Sequence, residues 1–189
     1  MTPGRAGVVA DLPAPPMRLL ENAVVRLEPQ VAAHAQAMFE VLADPAIYEH
    51  ENAPPPSVEW LRSRYARLEQ RVSPDGSELW LNWVIRLPSS ALAGYVQATV
   101  HPTRRAAIAY ELNSRYWGQG LARSAVQLMI AELAASYDVT TLSAVLKARN
   151  LRSRRLLDRL GCLPAPQALY AVYEVEPDEI LMLRAITAA

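Results

Sequence analysis

The 189-residue sequence holds one cysteine, Cys162. Without a second thiol no intramolecular disulfide forms, and a zinc site built on several thiolates is excluded. Net charge is missing as well, since 19 Lys and Arg balance 19 Asp and Glu. That balance gives no electrostatic reason to choose nucleic acid or an anionic membrane as the main partner. No apolar run approaches the roughly 20 residues of a membrane span, and no signal-type apolar core follows Met1. Lysine is nearly absent: Lys147 is the only one, and the arginine bias reads as genomic rather than functional. The expectation is a soluble protein of a reducing compartment, the cytoplasm, using no metal. Its length suits one domain with a substantial core.

What the chain does contain is a succession of clear periodicities. Residues 1–16, "MTPGRAGVVADLPAPP", carry Pro and Gly without a pattern and read as a flexible tail, so the domain is placed at 17–189. "AVVRLEP" alternates as a strand, and "QVAAHAQAMFEVLAD" repeats at helical spacing up to Pro45. A loop with four prolines, residues 44–57, leads to a helix capped by Ser57. "ELWLNWVIRL", "LAGYVQATVHP" and Ala106–Leu112 form a meander of three strands. A helix from about Gly120 to Ser136, a strand over 140–147 and a helix from Leu151 to Leu160 follow. "ALYAVYEV" and "EILMLRAI" are expected to close the chain as a strand hairpin, whose edge permits a homodimer. The order is an α/β mixture, antiparallel at first, with at least one β–α–β crossover near residue 120.

That crossover carries the strongest chemical signal. In "AIAYELNSRYWGQGLARSAVQLMIAEL" a strand passes into a helix through Gly118 and Gly120. A helix start offers unpaired N–H groups and about half a positive charge, which suits an anion. Two residues without a Cβ let phosphate reach those groups around a sharp turn. A steric need of the turn alone is the competing explanation. No G-x-x-x-x-G-K-[ST] occurs, and a dinucleotide fingerprint would want a small residue where Arg123 stands.

"YWGQGLA" after the "AYEL" strand resembles the coenzyme A pyrophosphate loop of the GNAT superfamily of N-acetyltransferases. "ARNLRSRRLLDRLGC" resembles its "N-x-x-S…L-G-F" segment, and "VVRLEP…A…ADP" is similar to the RimJ/RimL-like branch. Asn150 follows Ala122 by 28 residues, room for one helix and one strand. The resemblance implies an α/β (α+β) fold with a mixed central sheet of about seven strands, largely antiparallel, flanked by about four helices. It implies acetyl-CoA as cosubstrate, with the pyrophosphate on the N–H groups of Gln119, Gly120, Leu121, Ala122 and Arg123, and with Trp117 and Gly118 shaping the loop. Trp117 stands where many members carry Arg or Gln. An amide N–H at Leu112 or Asn113 would polarise the acetyl carbonyl. Asn150 would touch pantetheine or cap its helix, and Ser153 would face the thioester sulfur. One of Arg149, Arg152, Arg154 and Arg155 would reach the ribose phosphate; a solvated basic helix face is the alternative for the others.

The tyrosine acid of many members is replaced by Leu157, which leaves Ser153 or solvent to protonate the thiolate. The same gap leaves a catalytically silent CoA sensor or scaffold as the alternative to an enzyme. Cys162, in place of the usual Phe, reads as core.

The acceptor implied is a primary amine, a protein N-terminus or a small amine, attacking directly in a ternary complex. At pH 7 an α-amine of pKa about 8 is partly neutral, whereas a lysine near 10.4 is neutral about 0.04% of the time. Glu111, on the strand beside the acetyl group, is the candidate base; pairing with an arginine is its alternative role. His101 and His34 are further ionisable groups. Glu49, His50 and Glu51 make the proline-rich loop acidic, which suits a cationic amine. Trp80, Trp83, Tyr95 and Tyr110 read as core or pocket wall.

Overall fold

The computed structural model describes residues 15–50 and 52–187. Residues 1–14, most of the expected tail, and Glu51 lie outside the described residues. The fold is of the expected class: one mixed, mainly antiparallel sheet between two pairs of helices. The strands are β1 (Leu20–Glu21), β2 (Arg26–Pro29), β3 (Leu79–Arg86), β4 (Leu92–His101), β5 (Arg105–Leu112), β6 (Thr141–Lys147), β7 (Leu163–Pro164) and β8 (Glu179–Ala185). The helices are α1 (Ala35–Leu42), α2 (Val58–Leu68), α3 (Leu121–Ser136) and α4 (Leu151–Arg159). The sheet runs β1-β2-β3-β4-β5-β6-β8-β7, so the two-residue edge strands make eight where about seven were expected.

Strand periodicity assigns side chains to two cores. Leu81, Trp83 and Ile85 of β3 join Val96, Ala98 and Val100 of β4 beneath α3 and α4. Val84 and Leu92 point the other way, against Met38, Leu42, Leu61 and Tyr65 of α1 and α2. With both faces covered, β3 is buried continuously from Leu81 to Ile85. Trp83 is wholly buried, and its indole N–H finds the Arg18 carbonyl at 3.1 Å. Ser57 caps α2 as its position predicts, accepting from the Trp60 amide at 3.1 Å. Among the described residues, no helix is long and apolar enough to cross a membrane.

The C-terminal hairpin is not formed. Residues Gln167–Tyr173 make a 3-10 helix instead, ended by Glu174 at φ 51°. Two causes act together. β8 is already flanked by β6 along its length and by β7 at Leu183 and Met182, which leaves no ladder for a second long strand. Pro164 and Pro166 withhold N–H groups, and Pro166 begins the helical turn as its N-cap. The sheet therefore ends at a two-residue strand containing Pro164, a blunted edge rather than the one expected to support a homodimer. Lys147 lies at the far end of β6, ion-paired to Asp178 at 2.9 Å and Glu179 at 3.0 Å.

Where β4 and β5 meet, Gly94 stands opposite Leu112. A Cβ there would collide with the Glu111 carbonyl and lie 2.9 Å from the Leu112 Cα. Gly94→Ala is therefore expected to lower stability by about 1–3 kcal/mol, because neither backbone can yield without breaking the ladder. Denaturant midpoints check this; an unchanged midpoint would show the two strands to be farther apart.

Candidate functional site

The crossover strands β5 and β6 are parallel neighbours only from Arg105–Ala107 against Thr141–Ser143. Beyond that, β5 follows β4 and β6 follows β8, and the two part. A cavity of about 1070 Å³ opens there, lined from both faces of the sheet. Alternation along β5 makes this two-sided: Ile108, Tyr110 and Leu112 pack toward the α3–α4 side, while Glu111 faces away.

On the α3 side the lining includes Leu112, Trp117, Gly118, Gly120, Leu121, Ala122 and Arg123. Gly118 and Gly120 have φ +75° and +78°, and no atom lies within 4 Å of a Cβ built on either. Backbone conformation, not crowding, thus demands glycine here. Gly120 is the N-cap of α3, with no side chain capping the first turn. Its amides and the dipole are left to an anion or to solvent. A long cleft ending at such a turn fits an elongated, phosphate-bearing molecule. Two residues expected in this set do not line the cavity. Gln119 turns its amide to the Arg115 carbonyl at 3.0 Å. Asn113 gives its backbone N–H to the Ala93 carbonyl and its side-chain N–H to the Val41 carbonyl, both at 2.9 Å, so it holds the strand end to α1. Of the two amides considered for a carbonyl, Asn113 is thereby committed to the fold and Leu112 remains.

From α4, Asn150 and Ser153 both reach the lining. Asn150 caps the helix, accepting from the Ser153 amide at 3.1 Å. The Ser153 hydroxyl bonds the Tyr110 hydroxyl at 2.7 Å across the gap. Burial pushes the Tyr110 phenol up to about 12, so it keeps its proton at neutral pH. Arg152 stacks on Trp117 with its guanidinium carbon 3.4 Å from the ring centroid. Arg149 and Arg155 also line the cavity and Arg154 does not. Cys162 is buried, and burial raises its thiol above the ordinary range, as a core residue requires.

On the α1–α2 side Glu111 sits opposite Tyr95 of β4, with the Asn52 amide 3.5 Å from its Oε1. The Tyr95 phenol is pushed well above 10 by burial, then by the charge and hydrogen bond of Glu111. Tyr48, Glu49, His50, Trp60 and Tyr65 complete this wall. The Tyr65 hydroxyl and His50 Nδ1 are buried with no hydrogen-bond partner among the described residues. His101 is elsewhere, paired to Glu78 at 3.0 Å, and His34 meets Glu28 at 3.5 Å on the opposite edge. Trp80 and Trp83 do not line the cavity, whereas Tyr95 and Tyr110 do. Tyr110 was missed as a partner of Ser153; its parity with Ile108 and Leu112 is the signal that places it on the α4 side.

The family model described as an acetyltransferase (GNAT) domain matches residues 25–163. No curated protein matches the sequence. Among solved structures, RimL, a ribosomal L7/L12 alpha-N-protein acetyltransferase in complex with coenzyme A, is similar at 19% identity and TM-score 0.74, over 91% of this chain and 100% of that one. A ribosomal-protein-S5-alanine acetyltransferase from Vibrio fischeri is similar at 19% identity and TM-score 0.70, over 89% and 97%. The microcin C7 self-immunity acetyltransferase MccE, in complex with acetyl-CoA and AMP, is similar at 17% identity and TM-score 0.72, over 87% and 94%.

The buried Tyr110 phenol has a measurable signature, since burial raises it by more than its hydrogen bond to Ser153 lowers it. With the folded phenol at about 12 and an ordinary value near 10, the unfolded chain loses this proton first, so stability falls as pH rises between them. Tyr110→Phe is expected to cost about 0.5–1.5 kcal/mol at neutral pH and to make that alkaline fall shallower. Denaturant unfolding from neutral pH upward reads both.

Proposed function

The chain belongs to the GNAT acetyltransferase family, whose model matches residues 25–163, and from that premise we propose that it transfers acetyl from acetyl-CoA to a primary amine. The observation that carries the reading is the two-sided cleft: an uncapped helix start suited to phosphates on one face, and a carboxylate on the other, meeting where β5 leaves β6. The relatives that bind coenzyme A or acetyl-CoA support the first half. A protein N-terminus is the favoured acceptor, supported by the ribosomal-protein acetyltransferases of the same fold.

The geometry supports the following roles. The amides of Gly120, Leu121, Ala122 and Arg123 hold the pyrophosphate, with Gly118 giving the turn its hand. The Leu112 amide polarises the acetyl carbonyl. Glu111 takes a proton from the incoming ammonium or from the nitrogen as it attacks. The nitrogen bonds the carbonyl carbon, the carbon–sulfur bond breaks, and the electron pair leaves with sulfur. Ser153, held by Tyr110, gives its hydroxyl proton as a hydrogen bond to that thiolate, and solvent completes the protonation. Leu157, at the helix position of the usual tyrosine, lines the cavity but has no proton to give. An α-amine needs roughly 3 kcal/mol less help than a lysine to become neutral, which one partly exposed carboxylate can supply.

Titration calorimetry of the whole chain with acetyl-CoA, followed by a peptide and amine panel read by thiol release, tests this. Micromolar binding and turnover are expected. Gly120→Trp is expected to abolish binding, because a side chain is strained at φ +78° and fills the approach to the amides. Glu111→Gln is expected to leave binding intact and cut kcat about 100- to 10,000-fold. No binding at millimolar ligand sinks the proposal; binding without turnover by any amine leaves a CoA sensor.

A further inference from the structure

Position 117 precedes the glycine turn directly, and it carries an indole rather than a cation. The ring is not loose. Its Nε1–H donates to the Leu112 carbonyl at 2.8 Å, which fixes the indole plane. Onto the presented face, Arg152 of α4 lays its guanidinium, 3.4 Å from centroid to carbon. This contact joins the glycine turn to α4 across the mouth of the cleft, and both residues line the cavity. Stacking engages the flat face of a guanidinium and leaves its N–H donors, all in the plane, pointing outward. Among the described residues no carboxylate pairs with Arg152. Its charge is thus set in place and uncompensated beside amides that already favour an anion. Arg123 also lines this end, but among the described residues it has no ring or ionic contact to hold it.

We infer that Arg152, held on the Trp117 ring, is the cation that clamps the diphosphate of the CoA ligand against the start of α3, with Trp117 as its positioning residue. The inference rests on the acetyl-CoA reading above and adds to it a charge delivered from a different helix. It explains why a bulky aromatic is tolerated where a loop cation would serve: the aromatic supplies the platform and α4 supplies the charge. Arginine is required, since a lysine ammonium can neither lie flat on the ring nor present a planar fork to two phosphate oxygens.

The test is calorimetry of the full-length protein with CoA and with 3′-dephospho-CoA across a salt series. Arg152 is exposed, and Arg152→Ala is expected to keep the wild-type melting temperature. It is expected to weaken both ligands equally, by about 10- to 100-fold, and to flatten the salt dependence of Kd. Arg152→Lys is expected to recover only part of the loss. Trp117→Phe keeps a ring but drops the bond to Leu112, and should weaken both ligands less than Trp117→Ala. In the Trp117→Ala background, removing Arg152 should cost less than it does in the wild type. Unchanged affinity in Arg152→Ala overturns the inference, as does a loss confined to CoA, which would assign Arg152 to the 3′-phosphate. Additive effects of Trp117→Ala and Arg152→Ala would overturn the positioning role. Failure of the wild-type protein to bind CoA at all defeats the acetyltransferase reading itself and is read before any variant is compared.

Discussion

Three pairs of residues hold β5 to β6, and the shortness of that parallel seam governs everything near the site. Its closed end is fastened by the Arg104 carbonyl, which accepts from the Thr140 amide at 2.8 Å. Past Ala107 the strands answer to different neighbours. β5 is drawn to β4, where the absence of a side chain at Gly94 lets the Glu111 carbonyl come close. β6 keeps full register with β8 out to Lys147 and Glu179. A continuous seam would bury the edge of β5 and seal the sheet. Because it stops, one strand displays Tyr110 to one face and Glu111 to the other at the same opening, and its last residue feeds directly into the Trp117 turn.

A net charge of zero conceals an arrangement with two poles. Several arginines and a helix start border the α3–α4 side of the cleft, while the α1–α2 side is aromatic around Glu111 and Glu49, with Arg64 also lining it. Neutral tyrosines suit that wall, since burial raises Tyr48, Tyr65 and Tyr95 above the ordinary phenol range and leaves the negative charge to the carboxylates among them. The side suited to phosphate and the side carrying the carboxylates thus meet in one cleft.

Much of this was legible in local sequence. Helix caps at Ser57 and Asn150, the glycine turn and the crossover near residue 120 all depend on neighbours within a few positions, where propensity and periodicity speak plainly. What escaped depends on partners far along the chain. Asn113 is claimed by Val41 and Ala93, and Tyr110 by Ser153, none of them adjacent in sequence. The segment "ALYAVYEV" looks like a strand because its residues favour one, yet a strand also needs an edge to pair with, and β8 had none to spare. Edge availability is decided by the whole sheet and leaves no local trace.

Lys147 gives the molecule an unexpected trait. The only lysine in the chain is gripped between two carboxylates, and its hydrogen bonds to Asp178 and then Glu179 raise its pKa above the ordinary value. Its nitrogen is therefore held further in the protonated form than an ordinary lysine, while every other long basic side chain is a guanidinium, a far poorer nucleophile. The one lysine amine of the chain is thus a weak target for a reactive thioester, because its ion pairs oppose the loss of the proton that attack requires.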